Sequence, residues 1–206
     1  MLARRAAAAG RTGLEFYVGI PGSVGGAVRM NAGGHGRQTS DVLLTASVAD
    51  LAGAGTPEPR ACDALDLTYR HSNLRDDELV TAADFAVTAD AAPACEERLA
   101  EIVRWRREHQ PGGANAGSVF RNPEGDSAGR IIESVGLKGL RVGGAVVSEK
   151  HANFIQAEEG ATAADVAAVV REVRDRVAAE TGTVLIPELH WLGPGGWDAP
   201  GDGAAA

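Results

Sequence analysis

Residues 116–155 read AGSVFRNPEGDSAGRIIESVGLKGLRVGGAVVSEKHANFI, and the alternation of short elements along this stretch decides the class of the fold. Ser118 stands at the start of a short strand after a flexible joint. Asp126 to Val135 predicts a short helix with Asp126 as its cap and Gly136 just past its end, because a short acceptor side chain suits the first turn and glycine suits the left-handed exit. Asn153 to Ala157 predicts a second strand. Gly129 falls inside the helix, where it costs about 1 kcal/mol against alanine. Either close approach of another chain or a ligand, or plain helix packing, would account for it.

Beyond this stretch, Val166, Val169, Val170, Val173 and Val177 recur at helical spacing over Thr162 to Thr181, a segment opened by Thr162 and Asp165 in a capping-box-like pair. Val184 to Leu192 predicts a strand. Upstream, Ala94 to His109 sets Leu99, Ile102, Val103 and Trp105 among many charges, an exposed amphipathic helix. Pro111 to Ala116, PGGANA, combines a helix breaker with flexible residues and marks the best boundary. A glycine-rich, β-heavy half with strands over Leu14 to Ile20, Val42 to Leu51 and Leu79 to Thr88 therefore precedes a compact α+β half. The last residues, 194–206, are rich in Gly, Pro and Ala and predict a disordered tail.

The bulk properties bound the function. At 206 residues with 44% hydrophobic and 23% charged side chains, the chain has globular values and length enough for a real core. A net charge of -8 argues against nucleic acid as the main partner, since phosphate backbones need a clustered positive field. Cys62 and Cys95 show no CxxC or Cys/His spacing, which suggests neither a disulfide framework nor a zinc site. No metal is expected. No signal-peptide core and no apolar window of membrane-spanning length occurs, so a soluble, cytoplasmic protein without a membrane partner is expected.

Four places carry candidate chemistry. Gly19 to Gly36, GIPGSVGGAVRMNAGGHG, holds seven glycines in eighteen residues. That density lets backbone amides approach a ligand and suits a cofactor cradle, although it is neither a Walker loop nor a Rossmann fingerprint, and a tight structural loop has the same composition. Tyr69-Arg70-His71-Ser72 offers a guanidinium fork for a carboxylate or developing oxyanion, against the plain alternative of a solvated charge. Ser118 lacks a nucleophile elbow, which argues against nucleophilic catalysis, but its hydroxyl can still give a proton to a strongly basic carbon. Glu188 shares a strand face with Val184, Ile186, His190 and Leu192. A covered face would raise its pKa and suit proton handling; an open face would make it a solvated edge residue.

In order, GLEFYVGIPGSVGGAVRMNAGGHG, YRHS, the stretch of residues 116–155 and LIPELHWLG resemble the UDP-N-acetylenolpyruvoylglucosamine reductase (MurB) family over nearly the whole chain to about Gly193. The resemblance implies an α+β fold in which a partial FAD-binding domain of the PCMH/VAO type is followed by a substrate-binding domain. Residues 1–110 would be the second flavin subdomain and 112–193 the substrate domain. It also implies noncovalent FAD, NADPH as hydride donor, and UDP-N-acetylglucosamine enolpyruvate as substrate in cell-wall precursor synthesis.

By motif, Arg70 and Glu188 occupy the positions that steady the enolate, and Ser118 that of the proton donor to C2. Tyr69, Arg106, Asn122 and His151 match positions that approach the substrate. Gly19, Ile20, Pro21, Gly22, Gly25, Gly26 and Asn31 fall in the flavin cradle. The short interval from Arg70 to Ser118 resembles the type II branch.

The GGGSN-like motif that wraps the FAD pyrophosphate in family members does not occur. The expectation is a missing first flavin subdomain, weakened FAD binding and impaired turnover. A nucleotide-sugar binding module without turnover is the alternative. A flavin oxidase acting on another substrate is disfavoured by GSVFRNP and KHANF.

Overall fold

The computed structural model describes residues 1–53, 55–193 and 196–198, the last three and Gly193 by backbone alone. The chain divides into two compact units, Met1–Arg106 and Arg107–Ala206.

In the first unit the elements in order are α1 (Leu2–Ala8), β1 (Arg11–Thr12), α2 (Val24–Arg29), β2 (Gly33–Gly34), β3 (Arg37–Gln38), β4 (Leu43–Asp50), β5 (Glu58–Ala61), β6 (Glu78–Phe85), β7 (Thr88–Ala89) and α3 (Ala92–His109), whose last turn passes the unit boundary. The centre is an antiparallel sheet in the order β5-β4-β6. Leu43, Ala46 and Val48 of β4 pack with Val28 of α2 and with Leu65 and Leu74. On α3, Cys95 and Leu99 turn inward against Ala3, Ala7 and Val18 with Ile102 and Val103 packed beside them, whereas Trp105, expected on the same face, is exposed. Both cysteines are free thiols.

The strand expected over Leu14 to Ile20 is instead a 3-10 turn at Glu15–Tyr17. The Glu15 carboxylate accepts from the Thr12 hydroxyl and the Gly13 N–H, both at 2.7 Å, and these local bonds take the chain out of an extended path. Leu14, Phe16 and Val18 are buried in alternation, so the period-2 signal was real but belonged to a turn.

The second unit contains β8 (Ala114–Ser118), α4 (Ala128–Ser134), β9 (Arg141–Val142), β10 (Ala145–Val147), β11 (Phe154–Ala157), α5 (Ala163–Thr181), β12 (Trp191–Gly193) and β13 (Gly196–Asp198). Its antiparallel sheet runs β8-β11-β10-β9. Val169, Val170, Val173 and Val177 of α5 pack against it and against Ile131 and Ile132 of α4, the stripe that the valine spacing predicted. Thr162 and Asp165 form the reciprocal capping box, and Gly182 takes the left-handed exit. The Asp165 carboxylate also accepts from the N–H of Gly144, in the turn between β9 and β10.

Three expectations are corrected here. Helix α4 is capped by Ser127, whose side chain accepts from the Arg130 N–H, while Asp126 pairs with the Arg130 side chain at 2.6 Å. Strand β8 begins at Ala114, inside the presumed flexible joint, and ends rather than begins at Ser118. Val184 to Leu192 is not one strand: the facing segment offers it the Val119 carbonyl and the Arg121 N–H, while Phe120's own groups are turned to Asn153, so only an isolated bridge of Pro187 to Phe120 forms before β12. The tail expected over 194–206 lies outside the described residues, apart from Gly196–Asp198, which is extended and pairs with Trp191–Gly193.

Candidate functional site

In the first unit the glycine segment folds into several pieces. Ser23 caps α2 by accepting from the Gly26 N–H at 3.0 Å. A side chain at Gly25 would meet the Val80 carbonyl at 2.9 Å, so this glycine lets α2 lie on β6. Gly22, with φ +102, has open space around it. Ile20, Pro21 and Gly22 border a pocket of about 250 Å³ together with Met1, Tyr17 and Val24.

Asn31 is turned into the unit rather than outward. It has no exposed area, sits at φ 39, accepts from the Ser40 N–H at 2.9 Å and donates to the Thr68 carbonyl at 2.9 Å. It thereby ties the glycine segment to the turn that carries Arg70. The Arg70 residue is itself left-handed at φ 53, and its guanidinium lies 4.8 Å from the Tyr69 ring centre. It reaches the carbonyls of Asn31 and Gly33 at 3.5 and 3.4 Å, long contacts for hydrogen bonds. The structure therefore brings Tyr69, Arg70 and Asn31 together.

Arg106 lies against the cradle rather than at the Tyr69–Arg70 turn. Its guanidinium would be 3.0 Å from a side chain at Gly19, where φ is +79. Burial lowers its pKa, and its charge joins the larger effect of burial in lowering the pKa of His35.

In the second unit Ser118 and Glu188 stand on neighbouring segments. The Glu188 N–H donates to the carbonyl of Val119, the residue after Ser118, at 2.7 Å, and the Arg121 N–H donates to Ile186 at 2.9 Å. The alternation predicted over Val184 to Leu192 holds, with Leu185 and Pro187 buried. The Glu188 face is the other one: Val184 and Ile186 are 66% and 53% exposed. Within this unit, then, the face is not covered by the core, and Glu188 itself is half-buried.

Asn122 accepts from the Ala128 N–H at 3.1 Å and helps to start α4. His151 fills the space that Gly129 leaves empty, its ring carbon 3.0 Å from where a side chain would be. Gly129 is thus explained by close approach of a neighbouring side chain. The His151 Nδ1 accepts from the Asn153 N–H at 3.2 Å, which puts the ring proton on Nε2. Burial, and secondarily the charge of Lys138, hold its pKa below the ordinary value, so the ring is neutral at pH 7.

A larger groove of about 470 Å³ follows β10 and β11, lined in part by Arg141, Ser148, Lys150 and Gln156. None of the expected catalytic residues lines it. Among the described residues no group of three or more His, Cys, Asp or Glu is placed to hold a metal ion.

Sequence reasoning did not single out Asn153, a buried carboxamide that accepts from the Phe120 N–H and donates to the Phe120 carbonyl, each at 2.9 Å. Its only signal was an asparagine beside the apolar run of β11.

Known proteins of one kind resemble this chain over most of its length. Residues 109–192 match the family of UDP-N-acetylenolpyruvoylglucosamine reductase C-terminal domains. The UDP-N-acetylenolpyruvoylglucosamine reductase of Acidiphilium cryptum is 47% identical over 93% of this chain and 62% of its own length. That of Synechococcus sp. RCC307 is also 47% identical, with 64% of its length covered. The crystal structure of UDP-N-acetylenolpyruvylglucosamine reductase (MurB) from Thermus caldophilus superposes with a TM-score of 0.78 at 40% identity, over 89% of this chain and 66% of that one.

The second unit is thus of the class of α+β domains found in the C-terminal part of reductases. The chain belongs to the UDP-N-acetylenolpyruvoylglucosamine reductase family. It spans about 62% to 64% of the length of the first two curated relatives named here.

Proposed function

We propose that this chain supplies catalytic and substrate-binding residues for the reduction of UDP-N-acetylglucosamine enolpyruvate to UDP-N-acetylmuramate in peptidoglycan precursor synthesis. The observation that carries the reading is the 2.7 Å backbone bond from Glu188 to Val119, which sets the carboxylate of the PE motif beside the segment of the GSVF serine. Bound FAD would supply hydride transfer from NADPH to the enolpyruvyl double bond. Residues 1–110 would be the second flavin subdomain and 112–193 the substrate domain. The open backbone at Gly22 and the pocket edge at Ile20 and Pro21 fit part of a flavin nucleotide; the packed Gly25 and the fully buried Asn31 would support that edge rather than touch it.

The chemistry of the chain's own groups follows from charge. Arg70 offers a planar cation to the negative charge that develops on the substrate's carboxyl system, and preorganised donors of this kind favour the transition state over the neutral alkene. Ser118 gives its hydroxyl proton to C2, a transfer that a weak acid can make only to a carbon as basic as an enolate. Glu188 holds a hydrogen bond at the same substrate. Tyr69, Asn122 and His151 orient the nucleotide sugar, His151 as a neutral Nε2–H donor. No described helix is long and apolar enough to cross a membrane, and a cytoplasmic location is part of this proposal.

With FAD supplied, Ser118→Ala should leave NADPH reduction of the flavin intact and slow its reoxidation by the enolpyruvyl substrate by about 10² to 10⁴. Stopped-flow absorbance at the flavin band follows both steps. Equal slowing of the two steps would refute the proton-donor role, and substrate binding without any turnover would favour the binding-module alternative.

A further inference from the structure

We propose that Asn153 is a positioning residue that fixes Ser118 relative to Glu188, an inference that rests on the roles given to those two residues above. The segment 119–121 is gripped from both edges. On one edge Glu188 N–H and Ile186 carbonyl pair with Val119 and Arg121; on the other, the Asn153 carbonyl accepts from the Val119 N–H at 2.9 Å. At Phe120 the pairing with β11 has lapsed, the last ladder pair being Ser118 with Phe154. The Asn153 side chain restores the missing rung: its Oδ1 accepts from the Phe120 N–H and its Nδ2 donates to the Phe120 carbonyl, both at 2.9 Å.

Both residues are almost wholly buried, at 3% and 2% exposure, so water cannot stand in for either bond. A carboxamide is the one side-chain group of this size that carries a donor and an acceptor side by side. It thus acts as a backbone unit at the point where the strand carrying Ser118 must turn from β11 toward the segment carrying Glu188. Asn153 is also joined to His151, whose Nδ1 accepts from its N–H. Its side chain holds Phe120 and its backbone meets Val119 and His151, so Asn153 stands where the segments carrying Ser118 and His151 join, one backbone bond from Glu188.

The test uses Asn153→Ala and Asn153→Asp in this chain. Amide hydrogen exchange should show protection at Phe120 and Glu188 falling roughly tenfold or more in Asn153→Ala, while Val169 to Val177 of α5 keep theirs. In the isosteric Asn153→Asp, the carboxylate still accepts from the Phe120 N–H but sets a negative oxygen against the Phe120 carbonyl, and this repulsion should lower protection at Phe120 near neutral pH and vanish as the acid form appears. A uniform loss across the whole unit, or no change at Glu188, would overturn the positioning role.

With FAD supplied, Asn153→Ala should lower the rate of flavin reoxidation with little change in substrate KM, and should add nothing further to Ser118→Ala. Additive losses would overturn the claim that it acts through Ser118. If Ser118→Ala itself reoxidises normally, the assigned function fails instead, and the exchange result at Phe120 and Glu188 still decides whether Asn153 sets the register.

Discussion

Asn31 in the first unit and Asn153 in the second are both buried carboxamides, yet they are used differently. The two ends of Asn31 go to separate loops, at Ser40 and Thr68, whereas both ends of Asn153 close on the single residue Phe120. The first is a strut between irregular segments; the second is a rung in a sheet. The surroundings follow suit. Arg70 reaches its carbonyl partners at 3.4 and 3.5 Å from a left-handed turn, while the segments around Ser118 and Glu188 are joined at 2.7 to 2.9 Å. On the roles proposed above, a cation that meets spread charge tolerates looser placement than a hydroxyl that must deliver a proton to one carbon, because Coulomb attraction falls slowly with distance and hydrogen bonds fall steeply.

The sharpest way to break this contrast is to remove the strut. Asn31→Ala would leave a buried N–H and a buried carbonyl unpaired and would lose asparagine's tolerance of positive φ, for a loss of about 3 to 5 kcal/mol in stability. Asn31→Gly should recover about 1 kcal/mol of that by removing the β-carbon clash alone. Denaturant unfolding of the chain measures both. If glycine were no better than alanine, the left-handed backbone would carry no cost and the strut would be all side chain.

Next in size is Arg70→Lys. Losing the planar fork while keeping the charge should cost about 2 to 4 kcal/mol in the barrier to substrate reduction. Single-turnover reoxidation of the flavin reads it directly. A lysine variant within twofold of the parent would mean that charge alone suffices, which would push the comparison further toward a loosely held cation.

The smallest effect concerns acid. Glu78 of β6 is buried and pairs with Arg60 at 2.5 Å and with Arg75 at 2.9 Å; hydrogen bonding to Arg60, first among the causes, holds its pKa at about 2. A folded-state pKa depressed below the unfolded value stabilises the fold above the unfolded pKa, here near the ordinary 4.5, and that contribution is lost as pH falls from there toward 2. The melting temperature of the parent chain should therefore drop faster over this window than that of Glu78→Gln. Parallel curves would remove this ion pair from the account of the first unit.

What could be read in the sequence was what lies close along the chain. The capping box of Thr162 and Asp165 and the valine stripe of α5 are local, and they were legible to the residue. The alternation at Leu14, Phe16 and Val18 was legible but ambiguous, because a 3-10 turn wedged into a core can bury every second residue as a strand does. Val184 to Leu192 failed because its alternation was real but it makes only an isolated bridge against Val119 to Arg121, a long-range pairing that alternation does not reveal.

The site shows the same division. Ser118, Arg70 and Glu188 were candidates by chemical type and motif and Asn31 by its place in the glycine segment, but the structural work of Asn31 and Asn153 was not legible, since each bonds a partner more than thirty residues away. The cap of α4 went to Ser127 because Asp126 is occupied by Arg130, a competition that spacing does not reveal.

Asp165 has a consequence of another kind. Its carboxylate accepts from the Thr162 N–H, closing the first turn of α5, and from the Gly144 N–H in the hairpin turn between β9 and β10. One oxygen, Oδ2, serves both bonds. Fraying of the helix start and opening of the hairpin are then coupled, since a displacement of that carboxylate weakens both at once. The sheet edge thereby draws on the persistence of the longest described helix in its unit.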